Sequence, residues 1–212
     1  MKLSKKEEDI VQRKEVKAVL FDMDGVLVDS YEAWFYVFNK SLGQFGHKSA
    51  SKIEFKKIFG SPIEEDLKKY FKGRTMKEVK DSYNKNFGKY VRYVKIFPDT
   101  LKTLKRLKKQ KLKLALITNS PRYITNLILI HFKIKRYFDA IVTMEDVKHS
   151  KPAPDLVIKA CRRLKLKPGD AILVGDTKYD MIAGKRAGCV TVGYRIKGDF
   201  RIDKTNEVTK FI

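Results

Sequence analysis

Four short motifs rich in acidic, hydroxyl and lysine residues lie along this chain, most of them directly after an apolar run. They are Asp22-Met23-Asp24-Gly25, Thr118-Asn119-Ser120, Lys151-Pro152, and Gly175-Asp176-Thr177 followed by Asp180. Together they offer carboxylates for a divalent cation, a nucleophile, a proton carrier and two phosphate contacts. The combination predicts chemistry that moves a phosphoryl group, which none of the motifs would indicate alone.

The carboxylates are the candidates for the chemical steps. Gly25 allows the backbone to turn after the first apolar run, so Asp22 and Asp24 can approach one point. Asp22 is then a candidate nucleophile on phosphorus, and Asp24 a candidate general acid and base. Asp176 arrives from another run, and several close carboxylates repel one another unless a hard cation such as Mg²⁺ lies among them. Taken alone, residues 22–25 could equally form a helix cap or a turn.

The hydroxyl and lysine motifs are the candidates for holding phosphate. Thr118, Asn119 and Ser120 are short donors just before a predicted helix, and a helix N-terminus binds phosphate well. Lys151 precedes a proline, which disfavours a helix there and lets the lysine point at the carboxylates. The alternatives, for each motif alone, are ordinary helix capping and a solvated surface lysine.

Compact apolar runs predict the strands that position these motifs. The runs cover residues 16–21, 112–117, 140–142, 171–174 and 189–192. Helical patterns alternate with them, at residues 99–110, 121–132, 153–164 and 179–187. Alternation of this kind predicts an α/β fold, a Rossmann-like, doubly wound and mostly parallel sheet. Ligands in such folds bind beyond the carboxyl ends of the strands, where the motifs fall.

The segment from residue 30 to residue 97 interrupts the alternation. It has helical periodicity and no convincing buried strand, with apolar stripes that predict three helices around Trp34 to Leu42, Ile63 to Phe71 and Met76 to Val94. We therefore predict an inserted helical-bundle cap domain at 30–97, and a core domain formed by residues 1–29 and 98–212. The aromatic residues of the insert are expected to form its own core.

Composition restricts the class of protein. A chain of 212 residues that is 43% hydrophobic and 34% charged suits a folded domain with a small insert. No apolar run is long enough for a membrane span, and residues 1–13 lack a signal-peptide pattern. Cys161 and Cys189 lie in apolar contexts, which indicates reduced core thiols. We expect a cytoplasmic protein, a monomer or a homodimer, with no membrane partner.

The formal charge of +22 admits two interpretations. A basic surface can attract nucleic acid. The densest basic stretch, residues 102–113, carries its lysines opposite a stripe of Leu101, Leu104 and Leu107, which indicates the solvated face of a helix. No aromatic residues interleave with the basic ones to stack on bases. The pattern does not favour nucleic acid as a partner, but it favours anionic substrates.

Read in order, the motifs DMDGVLVDS, LITNS, HSKPAPD and VGDTKYDMIAGKRAG resemble the haloacid dehalogenase superfamily of aspartyl phosphohydrolases. The likeness covers nearly all of residues 16–194 and falls in the subgroup with a helical cap after the first strand, phosphoglycolate phosphatases among them. It implies that Asp22 attacks phosphorus, that Asp24 protonates the leaving oxygen and later deprotonates water, and that Thr118 and Lys151 hold the phosphoryl group.

The same resemblance implies the metal site. Mg²⁺ would be bound by Asp22, by the backbone carbonyl of Asp24 and by Asp176, with Asp180 supporting the metal less directly. A small phosphorylated metabolite is the expected substrate. The loop Phe59-Gly60-Ser61-Pro62, between two helices of the insert, is the candidate for selecting it.

Asp24 narrows the activity within the superfamily. Dehalogenase-like and phosphonate-cleaving members lack an acid at this position, so its presence argues against both. Phosphatases and sugar phosphomutases both need this acid. We expect the chain to be a phosphatase, and the alternative is a sugar phosphomutase of the β-phosphoglucomutase type. A basic nucleic-acid-binding protein that has kept the fold is the more remote alternative.

Overall fold

A computed structural model describes residues 16–212 of the chain. The prediction that residues 1–13 carry no signal peptide, and the first part of the predicted core domain, lie outside the described residues. None of the described helices is long and apolar enough to cross a membrane.

A six-stranded sheet with parallel pairing throughout forms the centre of the molecule. Its strands are β1 (Ala18–Phe21), β4 (Lys113–Ile117), β5 (Ala140–Val142), β6 (Ala171–Gly175), β7 (Val190–Tyr194) and β8 (Phe200–Ile202). Their order across the sheet is β5-β4-β1-β6-β7-β8. The inner strands are buried on both faces, which explains why they are uninterrupted apolar runs in the sequence.

Helices cover both faces of the sheet. They are α5 (Thr100–Lys109), α6 (Arg122–His131), α7 (Asp155–Leu164) and α8 (Lys178–Ala187). Alternate residues of β1 point to opposite faces: Val19 packs in the cluster that includes α5 and α6, and Leu20 packs in the cluster that includes α7 and α8. The predicted doubly wound α/β fold is confirmed.

Two short strands mark the ends of the insert, residues 30–97: one directly precedes it and the other lies among its last residues. These strands, β2 (Val28–Asp29) and β3 (Lys95–Ile96), pair antiparallel and bring the two ends of the insert together. The helices of the insert are α1 (Tyr31–Gln44), α2 (Lys52–Lys56), α3 (Ile63–Tyr70) and α4 (Met76–Tyr90). Capping boxes begin α2 at Ser51 and α4 at Thr75. The division into core and cap domains stays a prediction.

The insert differs from the sequence prediction in three details. It contains the extra short helix α2, the β2–β3 pair joins its two ends, and its last helix ends before Val94, which is buried beyond a 3₁₀ turn. Two-residue strands and a five-residue helix are too short to leave a periodic pattern, which is why these elements were not predicted. The aromatic residues pack together as expected, with Phe38, Phe71 and Tyr83 all buried.

The C-terminal tail, for which the sequence predicted no structure, packs against the core. Strand β8 extends the sheet, and a 3₁₀ helix covers Thr205–Phe211. The ring of Phe211 stacks on Phe200 with centroids 4.4 Å apart, and the Thr205 hydroxyl donates to the Val26 carbonyl at 3.1 Å. Further 3₁₀ turns occur at Val91–Tyr93, Lys135–Tyr137, Met144–Asp146 and Pro168–Asp170.

One predicted core position in helix α5 is wrong. Leu104 and Leu107 are fully buried, but Leu101 is 37% exposed, and Thr103 is buried in its place. A stripe drawn from leucines alone missed that a threonine can face the core when its hydroxyl bonds the preceding turn, here the Asp99 carbonyl at 2.8 Å. Cys161 and Cys189 are both buried and form no disulfide, as predicted.

Candidate active site

The site lies at the carboxyl ends of neighbouring strands. Asp22 follows β1, Thr118 follows β4 and Asp176 follows β6, and the strand order places β1 between the other two. The main-chain N–H groups of Asp22 and Thr118 still bond across the sheet, to Val174 at 2.9 Å and Val142 at 3.1 Å. The sheet therefore fixes the main-chain positions from which the Asp22 and Thr118 side chains extend.

Gly25 allows Asp176 to approach the loop after β1. Its φ of +83° lies in the left-handed region, and a Cβ built there would lie 2.0 Å from Asp176 Oδ2. Any side chain at this position would clash with the Asp176 carboxylate and displace it. Gly25 was predicted to allow the backbone to turn, and its lack of a side chain also leaves space for the Asp176 carboxylate.

Lys151 is buried between two carboxylates. Its Nζ lies 2.8 Å from Asp22 Oδ1 and 2.6 Å from Asp180 Oδ1, and only 2% of the residue is exposed. Burial acts to lower the pKa of Lys151, but the charges of Asp180 and Asp22 outweigh it, so the pKa is raised above its ordinary value. Lys151 therefore remains a cation in the folded protein.

Two side chains position Lys151. The amide of Asn119 bonds its backbone in both directions, accepting from Lys151 N at 2.9 Å and donating to Lys151 O at 3.1 Å. Asp180, fully buried, binds the ammonium with one oxygen and caps helix α8 through Thr177 with the other. The amide of Asn119 is thus engaged with Lys151, and its predicted contact with phosphate stays a prediction.

The Asp24 carboxylate is held by three side chains. Oδ1 accepts from the Ser30 hydroxyl and from Trp34 Nε1 at 3.1 Å, and Oδ2 accepts from the Ser120 hydroxyl at 2.7 Å. Because a serine hydroxyl can donate or accept, the same cradle suits the protonated and the ionised carboxyl group. Ser120 N in turn donates to Thr118 Oγ1 at 3.0 Å, so the Thr118–Ser120 motif is tied to Asp24.

Three carboxylates could hold a metal ion. Oxygen atoms of Asp22, Asp176 and Asp180 all lie within 4.8 Å of one another. Asp176 Oδ1 is buried and has no hydrogen-bond partner, so it is free to bind a cation. An all-oxygen set suits Mg²⁺, and the two remaining carboxylates are partly occupied by Lys151. The residues present therefore fit the predicted metal.

The crowding of carboxylates affects their protonation. Burial and the charge of Asp180 raise the pKa of Asp176 to about 7, and burial raises the pKa of Asp22 although Lys151 opposes the shift. A divalent cation among these groups would favour their ionised forms.

A cavity joins these residues to the insert. Asp22, Asp24, Thr118, Asn119 and Lys151 line it on the core side. The insert contributes mainly apolar side chains and one acid, Asp66. The empty space in and around this cavity, its open mouth included, is about 570 Å³.

Sequence reasoning missed three residues of this region. Trp34 was expected only in the core of the insert, and Ser30 and Asp66 were not singled out. Trp34 does pack on Tyr83 and Phe87, but its indole N–H also binds Asp24. A tryptophan one turn into the helix that follows the aspartate motif was the available indication, because its N–H needs a partner when buried.

The sequence profile described as haloacid dehalogenase-like hydrolase matches residues 19–194. The chain belongs to this family. The resemblance predicted from the four motifs is therefore confirmed, and the chain is a hydrolase.

Individual relatives cover most of the chain. A protein from Caldanaerobacter subterraneus subsp. tengcongensis, named as a candidate pyrophosphatase PpaX, is 33% identical over 187 residues, 85% of this chain and 82% of that protein. A Bacteroides fragilis structure, named as a candidate haloacid dehalogenase-like hydrolase, has a TM-score of 0.82 and 27% identity, covering 92% of this chain and 100% of that one. A Haemophilus somnus structure, named as a predicted phosphoglycolate phosphatase, has a TM-score of 0.75 and 26% identity, covering 93% and 98%.

The fold is also found with a different activity. The β-phosphoglucomutase of Clostridium difficile has a TM-score of 0.80 at 20% identity, covering 92% of this chain and 96% of that one. At that identity the likeness concerns the fold alone.

Proposed function

We propose that this hydrolase is a Mg²⁺-dependent phosphatase that cleaves a small phosphomonoester through an aspartyl-phosphate on Asp22. The observation that carries the proposal is the meeting of Asp22, Asp24 and Lys151 in one cavity beside a carboxylate cluster that can bind a metal. The resemblance implies a substrate of the phosphoglycolate type, so phosphoglycolate is the compound with which other substrates are compared. We retain the cytoplasm as the expected location.

In the first step an oxygen of Asp22 attacks phosphorus, and the bond from phosphorus to the ester oxygen breaks. Asp24, in its protonated form, gives its proton to the leaving oxygen. In the second step Asp24, now ionised, takes a proton from water, the water oxygen attacks phosphorus, and the bond to Asp22 breaks to release phosphate. Each proton thus passes through the one carboxyl group that Ser30, Trp34 and Ser120 hold in place.

Other residues stabilise the transferring group. The Lys151 ammonium beside Asp22 offers positive charge where the phosphoryl oxygens would lie, and Thr118 offers a hydroxyl. Asp22, the Asp24 carbonyl and Asp176 would hold Mg²⁺. When bound, the ion would neutralise charge on the phosphate oxygens and polarise phosphorus toward attack.

The test is phosphate release by an Asp22→Asn variant. We expect its kcat to fall by about three orders of magnitude or more, because an amide cannot form the covalent intermediate. Chelation of Mg²⁺ should abolish wild-type activity. Asp81→Asn removes an acid from the exposed Lys77–Asp81 pair and serves as the control that retains activity. A well-folded Asp22→Asn variant that hydrolyses p-nitrophenyl phosphate at the wild-type rate would defeat the proposal.

Product analysis separates hydrolysis from the mutase alternative. Incubation with a hexose 1-phosphate and traces of the bisphosphate should release inorganic phosphate or leave the sugar unchanged. Formation of the isomeric hexose phosphate without free phosphate would identify a mutase instead.

A further inference from the structure

The cavity has a polar half and an apolar half. The core contributes the polar half, where the phosphoryl group would bind. The insert contributes the apolar half, lined by Trp34, Phe38, Phe55, Ile58, Phe59 and Ile63. The leaving group of a substrate must point away from Asp22, and therefore into the apolar half. Its composition indicates what kind of alcohol can leave.

The apolar half supplies no positive charge. Among the described residues that line the cavity, Lys151 is the only lysine or arginine, and it already binds Asp22 and Asp180. The insert contains 15 lysine and arginine residues against seven acids, but none of the 15 lines the cavity. A second anion on the substrate would lose its water without gaining a cation, which is unfavourable.

Asp66 adds negative charge to this half. It extends from helix α3 and accepts hydrogen bonds from the Ser61 hydroxyl at 3.2 Å and the Tyr83 hydroxyl at 3.1 Å. These two bonds fix the carboxyl group at the cavity wall and leave further lone pairs for a donor on a ligand. Burial raises its pKa to about 7, so a substantial fraction is ionised near neutral pH. A substrate that carries an anion there would be repelled.

We propose that this enzyme selects phosphomonoesters whose leaving alcohol is uncharged and has an apolar, ring-sized body, and that Asp66 and the apolar wall reject leaving groups with a second negative charge. The proposal rests on the phosphatase function above and names its substrate class. The names of the relatives state pyrophosphate and phosphoglycolate as substrates, whose leaving groups, phosphate and glycolate, are both anionic. The substrate class proposed for this chain therefore differs from those substrates. Rejection works through repulsion and desolvation, whereas preference comes from apolar contact.

The experiment compares three substrates of the wild-type enzyme with Mg²⁺. In 2-phenylethyl phosphate, ethyl phosphate and phosphoglycolate the leaving group is a primary alcohol in each case, so chemical reactivity differs little. We expect kcat/KM to fall in that order, with about tenfold or more between the first and the last. Pyrophosphate should be among the poorest substrates. A kcat/KM for phosphoglycolate or pyrophosphate equal to or above that for 2-phenylethyl phosphate would overturn the proposal.

The variant Asp66→Asn tests the repulsive element by itself. The substitution keeps the size of the side chain and removes its charge. The ratio of kcat/KM for phosphoglycolate to that for 2-phenylethyl phosphate should rise about tenfold. Asp81→Asn removes the same charge from an exposed pair outside the cavity and should leave the ratio unchanged. An unchanged ratio in a folded Asp66→Asn variant would refute the role of Asp66, and the wild-type series decides the substrate class if this variant does not fold.

Two outcomes distinguish failure of this inference from failure of the proposed function. If p-nitrophenyl phosphate is hydrolysed but 2-phenylethyl phosphate is not preferred, the phosphatase stands and the inference fails. If no phosphate ester is hydrolysed, the proposed function fails. Calorimetric binding of 2-phenylethyl phosphate and of phosphoglycolate to the wild-type protein then decides the inference, since tighter binding of phosphoglycolate would contradict it and tighter binding of the neutral-alcohol ester would support it.

Discussion

Asp66 is a carboxyl group in largely apolar surroundings, so its ionisation must affect the stability of the fold. Burial raises its pKa from 3.8 to about 7, an effect that the charges of Glu65 and Glu64 increase and the bonds from Tyr83 and Ser61 oppose. Between these two values the folded protein binds more protons than the unfolded chain does. The free energy of unfolding therefore decreases as the pH rises through this window.

The variant Asp66→Asn should lack this decrease. We expect the difference in unfolding free energy between variant and wild type to shift by about 2 to 4 kcal/mol, in favour of the variant, as the pH rises from about 4 to about 7.5, from about 1.4 kcal/mol per pKa unit. Urea unfolding at several pH values in EDTA measures it. The subtraction cancels Asp22 and Asp176, whose pKa values are also raised. A difference that does not vary with pH would show that Asp66 titrates normally.

At this scale the sequence indicated which acids and which lysine come together at the site better than it indicated the side chains that hold them. Asp22, Asp24, Lys151 and Asp176 belong to short motifs whose residue types already specify chemistry. The partners of Asp24 do not, because Trp34 comes close to it only once helix α1 has formed and packed. Asp66 has the residue type of an ordinary first-turn acid, and nothing local shows that its helix faces a cavity.

At the scale of elements, the loop between α2 and α3 connects the insert to the core. Phe59, Gly60 and Ser61 line the cavity, in line with the loop chosen from the sequence, although its role in selecting substrate stays a prediction. Gly60 has a φ of +83°, and a Cβ built there would lie 2.8 Å from Thr177 Cγ2 in the core. The close approach of insert and core at this point thus requires a glycine.

The variant Gly60→Ala should weaken this approach. The methyl group both strains a left-handed backbone and clashes with Thr177, so we expect kcat/KM to fall about tenfold or more. Thr177→Ser removes the clashing methyl but keeps the hydroxyl that caps α8. The double variant should recover part of the loss, which a comparison of all four enzymes measures. Equal activity of Gly60→Ala and wild type would mean that this contact does not matter to catalysis.

The longer elements were predictable and the short ones were not. Strands β1, β4 and β6 are buried on both faces, which forces continuous apolar runs, and the core helices begin and end within two residues of their predicted bounds. Strands β2 and β3 exist because the two ends of the insert must meet, a tertiary constraint with no local pattern. Strand β8 in the C-terminal tail also depends on tertiary structure, because it forms by pairing with the edge of β7.

At the scale of the whole molecule, the formal charge of the chain is +22. Among residues 16–212 the cavity lining carries one cation and three acids, so the positive surplus of these described residues lies on the surfaces around the cavity. A basic exterior with an apolar, acidic inner wall attracts any phosphate ester from a distance and then selects among esters at close range. The overall charge was readable from composition, but the sign of the charge inside the cavity depends on which helix faces line it.

This separation predicts how activity responds to salt. Long-range attraction is screened within about 10 Å at 0.1 M salt, whereas contacts inside the cavity are screened much less. Raising KCl from about 0.02 M to about 0.5 M at constant Mg²⁺ should therefore lower kcat/KM for 2-phenylethyl phosphate about three- to tenfold through KM, and leave kcat nearly unchanged. The nucleic-acid-binding alternative predicts instead salt-sensitive retention of RNA or DNA with no phosphate release. A fall in kcat with constant KM would place the sensitivity to salt in the chemical step, because attraction at a distance acts only before the substrate is bound.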